Sequence, residues 1–230
     1  MVINMAFAYL KEITDAAQKE QKPFWRIVIE DDMRERNVSY EQSFETMRQM
    51  YHAMKDADMA YDPDLRSASG MVGGDGKKLE EFRKKENRLI GDFLTEVMER
   101  AVKMGESNAC MKRIVAAPTA GSCGVIPAVL LTYEKQKNVT EDKLIEALFV
   151  AAGIGEVIAA SASIAGAEGG CQAEIGSASA MAAGAVAYLE GGKEDEIVHA
   201  AALALKNMLG LTCDPVAGLV EVPCVKRNVS

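Results

Sequence analysis

ALFVAAGIGEVIAASASIAGA, residues 147–167, is the stretch whose reading decides the fold. It approaches the length of a membrane span, yet it carries Glu156 and several serines, and Ala and Gly dominate it rather than Leu and Ile. It therefore reads as buried helix in a tightly packed, water-soluble protein, and no window of the chain reads as a membrane span. Helices built from small residues approach one another closely, and glycine lets backbone crowd against a bound group.

Outward from this stretch the same composition continues. Eleven of the nineteen glycines fall within residues 121–192, interleaved with Ala and Ser. Thr140 reads as the N-cap of a helix carrying Leu144, Ile145, Leu148 and Phe149. Further helices are expected at about 153–165, 172–190 and 193–209, each broken by Gly or Pro. No run of alternating β-branched residues argues for a strand, so the expected fold is all-α.

The 230 residues are read as one domain with two parts. Residues 1–105 are charged and amphipathic, and residues 106–230 are rich in Gly and Ala. In the first part, Ser39 with Gln42 three residues later forms a capping box, followed by Phe44, Met47, Tyr51 and Met54 at helical spacing. Leu89, Ile90, Phe93, Leu94, Val97, Met98 and Ala101 form an apolar stripe that predicts a second helix. Between them lies a polar, glycine-rich loop, RSASGMVGGDG (66–76).

Apolar residues make up 49% of the chain and charged residues 26%, the balance of an ordinary globular protein. A formal net charge of -8 without a Lys/Arg cluster argues against a nucleic-acid surface. MVINMAFAYLKEITDAAQKE has neither the basic start nor the apolar run of a signal peptide. Five cysteines, an odd number, without a secretory signal point to a reducing, cytoplasmic setting and away from a structural disulfide.

Cys110 and Cys123 read as small core hydrophobes, although Cys123 in PTAGSCG also stands where a helix N-terminus would activate it. Cys171, Cys213 and Cys224 each follow a helix-breaking neighbourhood, which suggests presentation by loops. Paired C-x₂-C knuckles and common ferredoxin spacings are absent. By spacing alone an iron–sulfur site, a zinc site and three separate core cysteines all stay open.

Cys171, 41 residues, Cys213, ten residues, Cys224 is also the pattern of the iron–sulfur-dependent bacterial L-serine dehydratases. The words around it match as well: SGMVGGD (69–75), APTAGSCG (117–124), SIAGAEGGCQAEIGSASAMAA (163–183) and NMLGLTCDPVAGLVEVPCVKRN (207–228). The sequence resembles the α chain of the two-chain form over essentially its whole length. The resemblance implies that Cys171, Cys213 and Cys224 hold a [4Fe–4S] cluster with one open iron, a Lewis acid for the hydroxyl of L-serine. It implies elimination of water to give pyruvate and ammonia, and a β subunit as partner, with homo-oligomers of αβ units compatible. It also implies a further helical segment beyond CVKRN, whereas this chain ends at Ser230. A lyase of the same fold acting on another β-substituted amino acid, such as cysteine, is the near alternative; a non-catalytic helical or zinc-binding module is the distant one.

Ser69 with Gly70, and Thr119 with Gly121 and Ser122, fall in these motifs and are candidate substrate ligands; turn and cap chemistry explains them equally well. Gln172 and Glu174 flank a cluster ligand and are expected to support it, with Glu168 a further candidate. Lys226 and Arg227 are placed to offset the charge of ligating thiolates or to lie at a surface. His52 and His199, the only histidines, lie outside the motifs, so the general base is expected on the β chain.

Overall fold

The structure, a computed structural model, describes residues 7–86 and 88–230, so the first six residues of the N-terminal stretch read above lie outside it. Among the described residues every regular element is helical. The amphipathic part forms α1 (Leu10–Glu20), α2 (Phe24–Arg36), α3 (Tyr40–Met59), α4 (Asp75–Arg83) and α5 (Asp92–Ala109). A short 3₁₀ turn (Ala120–Ser122) leads into α6 (Val125–Lys137), α7 (Glu141–Ser161), α8 (Gly166–Gly169), α9 (Cys171–Leu189), α10 (Glu194–Met208) and α11 (Glu221–Arg227). The all-α expectation holds.

Helix α7 is the central element. Leu144, Ile145, Ala147, Leu148, Phe149, Val150, Ala151 and Ile154 are all 4% exposed or less, and they pack against α2, α3 and α9. Each fully buried Leu, Ile or Phe contributes about 1.5–3 kcal/mol of transfer free energy. Helix α9 meets this surface at Met181, whose side chain lies against Gly155, and at Gly184. At Gly184 an added Cβ would lie 2.2 Å from the Ile154 methyl, so the small residues do permit close approach.

Three local expectations change. The glycine-rich break expected near residue 153 does not occur, and α7 runs unbroken to Ser161. Gly153 and Gly155 instead face neighbouring side chains, Val28 and Met181, so close packing outweighs their poor helix propensity. Thr140 occupies the N-cap position of α7, but its side chain makes no capping bond. By length and composition Glu141–Ser161 does pass as a membrane span, contrary to the reading above, yet 61% of its most apolar window is buried inside the fold.

The stripe from Leu89 to Ala101 is also misplaced. α5 begins at Asp92, Leu89 and Leu94 are exposed, and the buried face carries Glu96, Glu99 and Glu106. These carboxylates are buried because each has partners. Glu96 accepts from Arg100 at 3.0 Å and Lys135 at 2.7 Å, and Glu99 accepts from Lys103 at 2.6 Å and from Arg83. Glu106 accepts from the Tyr61 hydroxyl at 2.7 Å and from the backbone N–H groups of Asp75 and Gly76, where α4 starts. A buried charge with full partners is tolerated where a lone one is not. The capping box at Ser39 forms as expected, with Gln42 N–H donating to Ser39 Oγ at 3.3 Å and Ser39 N–H donating to Gln42 Oε1 at 2.9 Å. Phe44, Tyr51 and Met54 of α3 are buried behind it.

Candidate functional site

Three segments carry Cys171, Cys213 and Cys224, and they lie near enough for Cys171 and Cys213 to act on the Cys224 thiol. Cys171 is the first residue of α9, Cys213 lies in the irregular 209–220 segment, and Cys224 sits inside α11. Cys224 is thus held by a short helix and not by a loop, because Pro223 falls in the first turn of α11, where a missing N–H costs nothing. Gly170 makes the approach of the second segment possible. Its φ is +71°, and an added Cβ would lie 2.9 Å from the Cys213 nitrogen. Gln172 then fastens that segment at two points: its N–H donates to the Leu211 carbonyl at 2.8 Å, and its Oε1 accepts from Gly210 N–H at 2.9 Å.

The thiols influence one another. Burial, then Glu174, Cys171 and Cys213, push Cys224 up to about 11. Burial also raises Cys171, against the pull of the Arg227 guanidinium. All five cysteines are free. No group of three or more His, Cys, Asp or Glu side chains among the described residues is disposed around a single metal ion. Arg227 donates through Nη2 to Asp214 at 2.8 Å, while its buried Nη1 has no hydrogen-bond partner.

Two glycine-rich loops close over α11. In the first, the Ser69 hydroxyl donates to Glu221 Oε2 at 2.6 Å, Gly70 takes a φ of +75°, and Lys226 forms an ion pair with Asp75. Val72, Val102 and Val225 form a small apolar cluster beneath it. In the second, Thr119 caps the 3₁₀ turn reciprocally with Ser122. Ser122 is fully buried, and its hydroxyl donates to the Ala117 carbonyl at 3.2 Å, so in this structure it serves the turn. Glu174 packs against this loop: an added Cβ at Gly121 would lie 2.5 Å from Glu174 Oε2, and one at Gly166 would lie 2.6 Å from it. Beside the second loop is a cavity of about 250 Å³ lined by Asn108, Gly121, Glu174, Glu221, Cys224 and Asn228 among others.

The sequence model of the serine dehydratase alpha chain family matches residues 19–230. The chain belongs to that family. It is 41% identical over 222 residues to the probable L-serine dehydratase alpha chain of Bacillus subtilis, covering 96% of this chain and 74% of that one. It is 37% identical over 223 residues to the L-serine dehydratase alpha chain of Peptoniphilus asaccharolyticus, covering 96% and 76%. The L-serine dehydratase of Helicobacter pylori is 37% identical over 238 residues, and there the match spans 97% of this chain but 50% of the relative.

The remaining candidates of this serine dehydratase alpha chain lie apart from the cavity or serve packing. Cys123 is fully buried with Ala57 and Met104, and burial pushes its thiol up to about 12, the opposite of an activated thiol. Cys110 is half-buried and also raised, chiefly by burial. His52 is exposed and 3.0 Å from Glu141, His199 is exposed on α10, and Glu168 is exposed on α8. A second depression, about 550 Å³ between Phe93, Val129, Ala183, Val186 and Met208, has no acidic, basic or thiol side chain in its lining and so offers nothing for elimination chemistry. The sequence reading passed over Glu221, Glu106 and Asn228. Glu221 and Asn228 stand within the 207–228 word, so position was the available signal; Glu106 gave none, since a carboxylate on a helix ordinarily faces water.

Proposed function

We propose that this chain is the α subunit of a [4Fe–4S]-dependent L-serine dehydratase, a cytoplasmic lyase whose residues 1–230 act as one unit. The observation that supports this most directly is that Cys171 and Cys213 lie near Cys224, which itself lines a small cavity, in a chain of the serine dehydratase alpha chain family. The donor set fits such a group. Burial raises the Cys171 and Cys224 thiols, and a bound cation would favour their thiolates, while the unpartnered Arg227 Nη1 is a donor for sulfide or for a substrate carboxylate. When bound, the cluster supplies a Lewis acid that makes the serine hydroxyl a viable leaving group.

The chain's own residues bind and orient in this reading. Gly121 lines the cavity, and in this reading it acts with Thr119 of the same loop and with Ser69 and Gly70 of the first loop to receive the serine carboxylate. Gln172 fixes the Cys213 segment, and Glu174 presents a carboxylate to the cavity. Removal of the α-proton and loss of water give aminoacrylate, which tautomerises to the imine and hydrolyses to pyruvate and ammonia. We assign the base that takes this proton to a β chain, since neither histidine of this chain lines the cavity; Glu174, which does, is the competing candidate. The test is anaerobic reconstitution followed by iron and sulfide analysis, with about four of each expected per chain, and a pyruvate assay with the β partner added. A chain that binds neither iron nor sulfide would sink the proposal.

A further inference from the structure

We infer that Asn228 is a positioning residue that locks the Thr119–Ser122 turn onto the Cys224 helix, and so sets where substrate sits relative to the cysteine site. The second half of this statement rests on the function proposed above. The first half rests on geometry alone. Asn228 is 3% exposed and directly follows α11. Its Nδ2 donates to the Gly121 carbonyl at 2.9 Å and to the Cys224 carbonyl at 2.7 Å, and its Oδ1 accepts from Gly124 N–H at 2.8 Å. Two bonds therefore straddle Ser122 and Cys123, and the third holds the helix that carries Cys224.

Only an amide of this length meets all three partners. Two carbonyls demand donors and one N–H demands an acceptor, which also fixes the orientation of the amide. Aspartate would set a carboxylate oxygen against two carbonyls. Glutamine would need space where Oδ1 already lies 2.9 Å from the position of a Gly124 Cβ, beside the Ala101 carbonyl. The tie matters because α11 has seven residues, too few to hold a helix in place by itself. Its placement depends on Asn228, on the Ser69–Glu221 and Lys226–Asp75 contacts, and on Val225. Of these, Asn228 alone reaches the second loop, and being neutral it adds no charge beside the thiols.

The experiment uses Asn228→Asp and Asn228→Ala in the full chain. Hydrogen exchange on the iron-free protein reads the tie directly, and serine kinetics with the β partner, after anaerobic reconstitution, read its consequence. Amides 121–124 are expected to exchange roughly tenfold to 100-fold faster in both variants, with α7 unchanged, as follows from one or two lost buried hydrogen bonds. KM for serine is expected to rise by a similar factor while kcat changes less. Leu144→Ala, remote from the cavity, serves as the control that lowers thermal stability without moving KM. If Asn228→Ala does not fold, the isosteric Asn228→Asp decides. Unchanged exchange at 121–124 overturns the tie, whether or not iron binds. Faster exchange with unchanged KM, in a protein holding its cluster, overturns the positioning role. Failure of the wild-type chain to take up iron and sulfide strikes the proposed function and leaves the exchange result standing.

Discussion

Ser69 and Glu221 lie 152 positions apart in sequence, yet the hydroxyl of one donates to the carboxylate of the other at 2.6 Å. This bond fastens the first glycine-rich loop to the helix that carries Cys224, and the hydroxyls of Ser67 and Ser69 hold the Glu221 carboxyl below its usual range. The Lys226–Asp75 ion pair does the same from the far end of the loop. The loop carrying Ser69 is thereby coupled to the helix carrying Cys224, and the function proposed above makes that coupling a link between substrate and cluster. Ser69→Ala should raise KM for serine roughly three- to tenfold, the worth of one net hydrogen bond, and speed exchange at amides 69–72. Steady-state kinetics and hydrogen exchange on the same preparation check both; an unchanged KM would show that the loop plays no part in substrate binding.

The cysteine assignment predicts a sharp division among alanine variants. Cys171→Ala, Cys213→Ala and Cys224→Ala should each fail to retain iron and sulfide, because three thiolates are the smallest protein hold on such a cluster. Cys110→Ala should retain both. Cys123→Ala should retain both while losing about 1 kcal/mol of stability, since its fully buried side chain leaves a small void. Iron analysis after anaerobic desalting separates the two groups.

Glu156 gives a pH dependence independent of the site. Burial, with Asp31, Glu35 and Asp32 nearby, raises it from 4.5 to about 6. Below pH 4.5 it is neutral in both folded and unfolded chains. As pH rises to about 6 the unfolded chain ionises first, so stability falls across that window and the deficit then stays constant. Glu156→Gln should therefore be more stable at pH 7 by on the order of 1 kcal/mol, partial exposure having been allowed for. The advantage should vanish at pH 4, as urea melts at the two pH values would show.

The helical class was legible because Ala- and Gly-rich stretches lacked any period-two pattern, and the family was legible from the motif words around Cys171, Cys213 and Cys224. The places where reading failed have a common cause. Gly153 and Gly155 were taken as breaks because their propensity is local, whereas the Val28 and Met181 side chains that fill the space above them come from distant segments. Carboxylates on a helix ordinarily face water, and Glu96 and Glu99 are buried only because folding brings Lys135, Lys103 and Arg83 to them. Nothing local announces the burial of Asn228 for the same reason: its partners Gly124 and Gly121 lie 104 and 107 positions away.

Gly170→Ala tests how Cys213 reaches Cys171. The residue must adopt a φ of +71°, and the new methyl would meet the Cys213 nitrogen and Thr212 Cα at 2.9 Å. Strain of about 1–3 kcal/mol at such a position should be relieved by withdrawal of the 209–220 segment. The variant should keep its helical circular dichroism but bind the cluster more weakly, losing iron faster to a chelator than the wild type. Equal chelation rates would show that the approach of the two cysteines does not depend on this glycine.

The need for a second chain can be tested against one specific competitor. His52 and His199 are exposed and outside the cavity, while Glu221 is engaged by Ser69, which leaves Glu174 as the carboxylate of this chain free to take a proton there. A base acts only within hydrogen-bond reach of the α-proton, and its loss costs roughly 10²–10⁴-fold. If a β chain supplies the base, the reconstituted α chain alone should turn over serine at least 10²-fold more slowly than the pair. Glu174→Gln in the pair should then depress kcat only modestly, by its support of Gly121 and of the cavity wall. If Glu174 is the base, the two results exchange places: the α chain alone is active, and Glu174→Gln abolishes turnover without loss of iron. Assays of four samples, wild type and Glu174→Gln with and without the partner at saturating serine, distinguish these outcomes.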